Sequence, residues 1–165
     1  MRHIVLVGMA GAGKSTIGQK LASRMGLAFI DTDSWLAEQS GLALQALLEQ
    51  QGVAGYKQAE ERAVLTLPLL TRSVVATGGS VIYSPRSIAA LKTQGSVIYL
   101  RASLEVIMQR VDNWNARGFV AEPGLTLSQI YKEREPLYKA AADCTIDVDN
   151  LSVDEIVERI SERCS

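Results

Sequence analysis

Five short runs of aliphatic and β-branched residues recur along the chain, and a segment with helical spacing follows each of them. The runs are Ile4–Val7, Leu27–Ile30, Ser73–Thr77, Ser96–Leu100 and Cys144–Val148. A strand that is apolar on both of its faces has to be covered on both. Such strands alternating with helices predict an α/β fold: a three-layer sandwich with a central five-stranded parallel sheet. Ligands of these sheets bind at the carboxyl ends of the strands. Segments 8–15, 31–33 and 78–80 each directly follow a strand, so the pattern collects them on one rim.

The helices carry their own punctuation. Lys14–Met25 has Ile17, Leu21 and Met25 on one face and Gly26 as a stop. Residues 34–70 read as mostly helical, interrupted at Gly41, Gly52 and Gly55. Ser84-Pro85 is an N-cap and first-turn pair for a helix to about Lys92, and Ser103 caps another to about Val111. Residues 113–125 lack a period and contain Gly118, Pro123 and Gly124, so they read as a loop. Thr126 opens a helix with a bend expected at Pro136, and Ser152 with Glu155 has capping-box spacing before the last one.

Composition narrows the class. A chain of 165 residues suits one domain, here 1–165. Seventeen basic against eighteen acidic residues give a net charge of -1, which argues against a nucleic-acid partner. There is no apolar run long enough for a membrane span, and the first residues lack the pattern of a secretory signal. Cys144 and Cys164 have no metal-ligand spacing and read as thiols of a reducing, cytoplasmic compartment. With His3 as the single histidine, a histidine triad is not expected. No heptad or apolar stripe calls for a partner, so a monomer is expected.

The first rim segment, Gly8-Met9-Ala10-Gly11-Ala12-Gly13-Lys14-Ser15-Thr16, fits G-x-x-x-x-G-K-[ST] between a strand and a helix. A random chain of this length matches about once in a few hundred cases at average residue usage. Glycines let the backbone curl so that successive N–H groups face an anion, and the following helix adds its positive end. Gly11, Ala12, Gly13, Lys14, Ser15 and Thr16 are the candidate phosphate-binding residues, with Lys14 reaching the outer phosphates and Ser15 a magnesium ion.

The other rim residues are individually ambiguous. Asp31 and Asp33, two apart, could hold a metal and orient a hydroxyl, or Asp33 could simply cap the next helix. Gly78-Gly79-Ser80 could admit a ligand or be a plain turn. Lys57 and Glu60 share a helix face, as a solvated ion pair also would. Arg117, in the loop, could close over a transferred phosphate or face water. Arg110 could stack on a base. Arg134 could grip an acidic substrate or pair with Glu133 or Glu135. Trp35 lies near the Asp33 rim and is expected to be partly buried.

Taken together and in order, these elements resemble the shikimate kinase family, within the nucleoside-monophosphate-kinase-like group of P-loop proteins. The resemblance spans nearly the whole chain: the loop at 8–16, Asp31-Thr32-Asp33, Tyr56-Lys57-x-x-Glu60, the stretch 74–79, Arg110, Arg117 and Arg134-x-Pro-Leu-Tyr138. It implies transfer of the ATP γ-phosphate, with Mg²⁺, to a hydroxyl of shikimate. It also implies roles. Lys14, Asp33 and Arg117 are catalytic. Ser15 and Asp31 serve the metal, and Arg110 the nucleotide. Asp33, Lys57, Gly78, Gly79, Ser80 and Arg134 serve the acceptor. A substrate-binding helical segment at about 33–62 and a lid at about 112–125 follow as well. The chain departs from the family pattern where Tyr56-Lys57 replaces Phe-Arg, where Ser80 replaces a third glycine, and in the lid at Gly118-Phe119-Val120. Lysine keeps the charge of the arginine and loses its planar fork. Two alternatives stay open: a relative that phosphorylates another small hydroxylated, acidic metabolite, and a nucleotide-binding module without catalysis.

Overall fold

The structure is a computed structural model, and it describes residues 2–111 and 119–165. Five strands form one parallel sheet: β1 (His3–Val7), β2 (Ala28–Asp31), β3 (Ser73–Ala76), β4 (Gly95–Arg101) and β5 (Cys144–Asp147). Their spatial order is β2-β3-β1-β4-β5. Ile4 pairs with Val74 on one side and Ser96 on the other, so β1 lies at the centre. Helices cover the sheet: α1 (Lys14–Met25), α2 (Thr32–Ser40), α3 (Leu44–Leu65), α4 (Pro85–Gln94), α5 (Leu104–Arg110), α6 (Leu127–Ala141) and α7 (Val153–Cys164). This is the expected α/β sandwich.

All five residues of β1 and all four of β3 are buried, as strands covered on two faces must be. One core joins the sheet to α1, α4, α6 and α7, with Leu6, Val74, Tyr99 and Ile160 almost fully buried in it. A second cluster lies apart: Leu36 from α2, Leu47, Tyr56, Ala59 and Ala63 from α3, and Val120 from the loop before α6. Trp35 packs partly buried against this second cluster. Residues of α2 and α3 thus share a small apolar cluster of their own, which Val120 joins.

The connection after β1 returns through α1 to the β2 edge, while the one after β4 leads through α5 and α6 to β5. A crevice opens where these directions diverge, at the carboxyl ends of the strands. Gly8 sits at that point with φ +148°, where a Cβ would stand 2.6 Å from the Leu100 carbonyl oxygen. Only glycine lets β1 turn so close to β4.

Several elements differ from the sequence expectation. The second strand is Ala28–Asp31, one residue later than its apolar run, because Asp31 pairs with Ala76. Within 34–70 the expected interruptions at Gly41 and Gly52 are found, the first dividing α2 from α3 and the second kinking α3 with φ 68° and ψ -179°, but the helix ends at Leu65 and 66–70 are not helical. Gly79–Tyr83 forms a 3-10 turn. Pro136 lies inside α6, which continues to Ala141. As expected, Thr126 opens α6 and the Ser152–Glu155 capping box opens α7; Thr126 forms a capping box with Gln129 as well. Among the described residues no helix is long and apolar enough to cross a membrane.

Candidate active site

The turn after β1 forms a cradle. Gly13 is the N-cap of α1 in left-handed geometry, φ 93°, and no side chain caps the helix. The first amides of α1 are thus left for an anion. Lys14 folds back over the turn, its Nζ donating to the carbonyls of Gly8 at 2.7 Å and Met9 at 2.8 Å. Only 8% of Lys14 is exposed. Burial lowers its ammonium to about 8, against the opposing pull of Asp33. A cavity of about 410 Å³ spans the cradle; Gly11, Gly13, Ser15, Thr16, Asp33 and Arg110 are among its lining residues. Arg110 donates to the Gly11 carbonyl at 3.1 Å, which holds its side chain against the loop.

The two aspartates after β2 divide their tasks. Asp31 caps α2: its Oδ1 accepts from the amides of Asp33 at 2.9 Å and Ser34 at 3.2 Å. The capping alternative considered for Asp33 is therefore filled by Asp31. Asp31 Oδ2 accepts from the Ser15 hydroxyl at 2.7 Å. A hydroxyl and a carboxylate side by side at an exposed edge of a phosphate cradle suit a magnesium ion, which takes few protein ligands and completes its shell with phosphate and water. Asp33 turns inward instead. Burial raises its carboxyl, and Asp31 adds to the rise while Lys14 opposes it.

A second pocket, about 110 Å³, adjoins the cradle. Asp33, Tyr56, Glu60, Ser80, Val120 and Arg134 contribute to its walls. Ala10, Asp33, Gly78 and Gly79 line both cavities, so the two meet there. The Gly78 amide donates to Thr32 Oγ1 at 3.0 Å, which ties the turn after β3 to the start of α2. A Cβ on Gly78 would stand 2.5 Å from Asp33 Oδ1 and 2.8 Å from Glu60 Oε2, so a side chain there would fill the meeting point.

Arg134 is only 2% exposed. Its neighbours on α6 are engaged elsewhere: Glu135 with Arg101 at 2.8 Å, and Glu133 with the Tyr83 hydroxyl at 2.5 Å. Arg134 turns inward instead of pairing with either. Its Nε donates to the Tyr83 hydroxyl at 3.2 Å and its Nη2 to the Val120 carbonyl. Nη1 faces Gly79, 3.1 Å from where a Cβ would stand. A buried guanidinium that no carboxylate of the described residues pairs with suits an anionic ligand.

The structure brings together Lys14, Ser15, Asp31, Asp33, Gly78, Gly79, Ser80, Arg110 and Arg134 around the two joined cavities. Lys57 it places differently. Its Nζ lies 4.0 Å from the centroid of the Tyr83 ring, and it lines another cavity of about 170 Å³ with Glu61 and Ser84. Arg117 lies outside the described residues. Glu60 is a site residue that sequence reasoning paired with Lys57 on a helix face. It is 4% exposed, and its Oε1 accepts from the Ser80 hydroxyl at 2.6 Å. Burial pushes its carboxyl up to about 7, the Ser80 hydrogen bond opposing this and Asp33 adding to it. A charged residue at helical spacing gives no sign of facing inward, and only the third element, the turn after β3, reveals it.

Comparison with known proteins identifies a family for the chain. Residues 10–165 match the protein-family model described as shikimate kinase. The shikimate kinase of Caldanaerobacter subterraneus subsp. tengcongensis is 35% identical over 162 residues, covering 97% of this chain and 94% of that one. That of Thiobacillus denitrificans is 37% identical over 153 residues, covering 92% and 84%. Among solved structures, the shikimate kinase from Acinetobacter baumannii in complex with shikimate superposes with a TM-score of 0.90 at 29% identity, covering 99% of this chain and 93% of that one. The Aquifex aeolicus shikimate kinase, at 24% identity, shares the fold with a TM-score of 0.85 over 99% and 96%. By sequence over almost its full length, the chain belongs to the shikimate kinase family.

Proposed function

We propose that the protein transfers the γ-phosphate of ATP to a hydroxyl of shikimate, giving shikimate 3-phosphate and ADP. The observation that carries this reading is the junction of the phosphate cavity with the acceptor pocket at Asp33, Gly78 and Gly79. The family membership and the relative solved with shikimate support the choice of acceptor.

In this reading the amides of 10–15 and Lys14 hold the β- and γ-phosphates and stabilise charge that develops during transfer. Arg110 lies along the loop for the adenine end. Asp33 receives the acceptor hydroxyl and its proton. Its raised carboxyl suits a base that works beside Lys14. Arg134 takes the acceptor carboxylate from behind Gly79. Ser15 and Asp31 would hold Mg²⁺, which neutralises phosphate charge when bound. Arg117 completes the charge balance from the lid. Val120, in the C-terminal part of the proposed lid, packs in the α2–α3 cluster, and closure of that lid excludes water from the transfer. The same reading takes a cytoplasmic setting and a monomer, since the groups named here come from one chain.

A second reading, another small hydroxylated acid as acceptor, is favoured by one feature: Lys57 lines a separate cavity from Arg134. ADP release with ATP and Mg²⁺ decides between them on a panel of shikimate, quinate, gluconate, homoserine and nucleoside monophosphates. Shikimate giving the highest kcat/KM supports the first reading. A higher value for another acid supports the second. ATP binding without phosphorylation of any acceptor supports a non-catalytic module.

A further inference from the structure

Two consecutive residues of α6 grip one hydroxyl of the 3-10 turn that follows β3. The Tyr83 hydroxyl donates to Glu133 Oε1 at 2.5 Å and accepts from Arg134 Nε at 3.2 Å. A phenol has a single proton to give. Glu133, at the exposed surface of α6, takes it, so a lone pair is what faces the guanidinium. Burial, and then the bond to Glu133, push the phenol up, which keeps that proton in place.

The other side of this contact is the planar fork of Arg134. Nε is held by Tyr83, Nη2 by the Val120 carbonyl, and Nη1 faces Gly79 in the wall of the acceptor pocket. Two anchors on one rigid plane fix where the third nitrogen points. Remove the Tyr83 hydroxyl and a buried N–H loses its acceptor, so the fork turns to find another. The Tyr83 ring has a separate partner: Lys57 Nζ lies 4.0 Å from its centroid. Among the described residues Tyr83 lines the outer cavity with Lys57 and not the acceptor pocket, so it reaches an acceptor only through Arg134.

We propose that Tyr83 is a positioning residue for acceptor recognition: its hydroxyl, oriented by Glu133, holds the Arg134 fork with Nη1 toward the pocket, and this makes the site prefer a carboxylate acceptor to a neutral one of the same shape. The inference rests on the reading above, in which Arg134 takes the acceptor carboxylate, and it assigns the aim of that arginine to a residue outside the pocket. A charge-assisted hydrogen bond to a carboxylate depends on direction, so a turned fork loses most of it. A neutral carboxamide gains less from the aligned fork and therefore loses less. Tyr83→Phe removes the hydroxyl and keeps the ring that Lys57 rests on, which separates the two roles of the side chain.

The test measures dissociation constants by calorimetry in the presence of ADP and Mg²⁺, for shikimate and for its carboxamide. Wild type is expected to bind the acid at least about tenfold more tightly than the amide, the effect of a hydrogen bond between charged groups. In Tyr83→Phe this preference is expected to fall by about fivefold or more, the acid weakening while the amide stays within about twofold; general damage to the fold would weaken both alike. Glu133→Ala, a change at the exposed surface, frees the Tyr83 proton and is expected to lower the preference in the same direction by about threefold. It decides the matter if Tyr83→Phe does not fold. An acid preference unmoved by Tyr83→Phe, or by Glu133→Ala where the first variant fails, overturns the inference. So does equal weakening of both ligands, and so does a wild type that binds acid and amide alike or binds neither. Carboxylate preference that depends on Tyr83, without phosphorylation of the acid, leaves this inference standing and removes the proposed reaction. Normal turnover with an unmoved preference does the reverse, so the two fail separately.

Discussion

The Ser15 hydroxyl donates to Asp31 Oδ2 at 2.7 Å, joining the start of α1 to the end of β2. The same carboxylate caps α2 through its other oxygen. Asp31 thus has one oxygen that caps α2 and one that the proposed reading assigns to the metal, and substitutions separate them. Asp31→Asn keeps a capping oxygen and should hold Tm nearly constant while raising the Mg²⁺ concentration needed for half-maximal activity. Asp31→Ala also loses the cap, which costs about 1 kcal/mol, or a fall of roughly 2–4 °C in a domain of this size. Thermal melts and a magnesium titration check both.

Lys14 should report nucleotide binding as a proton. Its ammonium is lowered to about 8 by burial, and a bound triphosphate favours the charged form. ATP binding at pH 8 should therefore take up a fraction of a proton, and at pH 6.5 almost none, since the lysine is already charged there. Calorimetry in buffers of different ionisation enthalpy measures this. Lys14→Arg, which stays charged at pH 8, should abolish the uptake.

Gly78→Ala should separate the two cavities functionally. The new Cβ would meet Asp33 Oδ1 at 2.5 Å and Glu60 Oε2 at 2.8 Å. Gly78 has φ -65°, so the penalty is one of space and not of backbone conformation. Acceptor kcat/KM should fall at least about 10²-fold through misplacement of the reacting groups, while the dissociation constant for ADP stays near that of wild type.

Much of this was legible in the sequence because the signals are local. Aliphatic runs with helices between them fix the sheet layers, and the spacing of Gly8, Gly13 and Lys14 fixes the cradle. Asp31, Asp33, Gly78 and Arg134 follow from their places after strands or in the family pattern. What was not legible depends on contacts distant in sequence. Which aspartate caps α2 is settled by Ser15, sixteen residues away. The inward face of Glu60 is settled by Ser80, twenty residues on. Lys57 has the charge for an acceptor site, but the Tyr83 ring draws its ammonium elsewhere.

His3 gives the fold a pH dependence that the site does not share. Its Nδ1 accepts from the Ser73 amide at 3.2 Å, between β1 and β3, and burial lowers its pKa below 6.5. Protonation removes the acceptor. The stability it contributes is present above about pH 6.5 and is lost as pH falls through the lower folded value. Urea unfolding from pH 7.5 to 5 should show a steeper loss for wild type than for His3→Gln, whose side chain has no proton to gain.

The central claim, that Asp33 presents an acceptor hydroxyl to a phosphate held by the first turn, is tested most directly by shikimate-dependent ADP release in wild type and Asp33→Asn. Wild type should release one ADP per phosphorylated shikimate, and Asp33→Asn should retain ATP affinity with kcat reduced at least about 10²-fold. ADP release that is indifferent to shikimate, or an Asp33→Asn variant as fast as wild type, would contradict it.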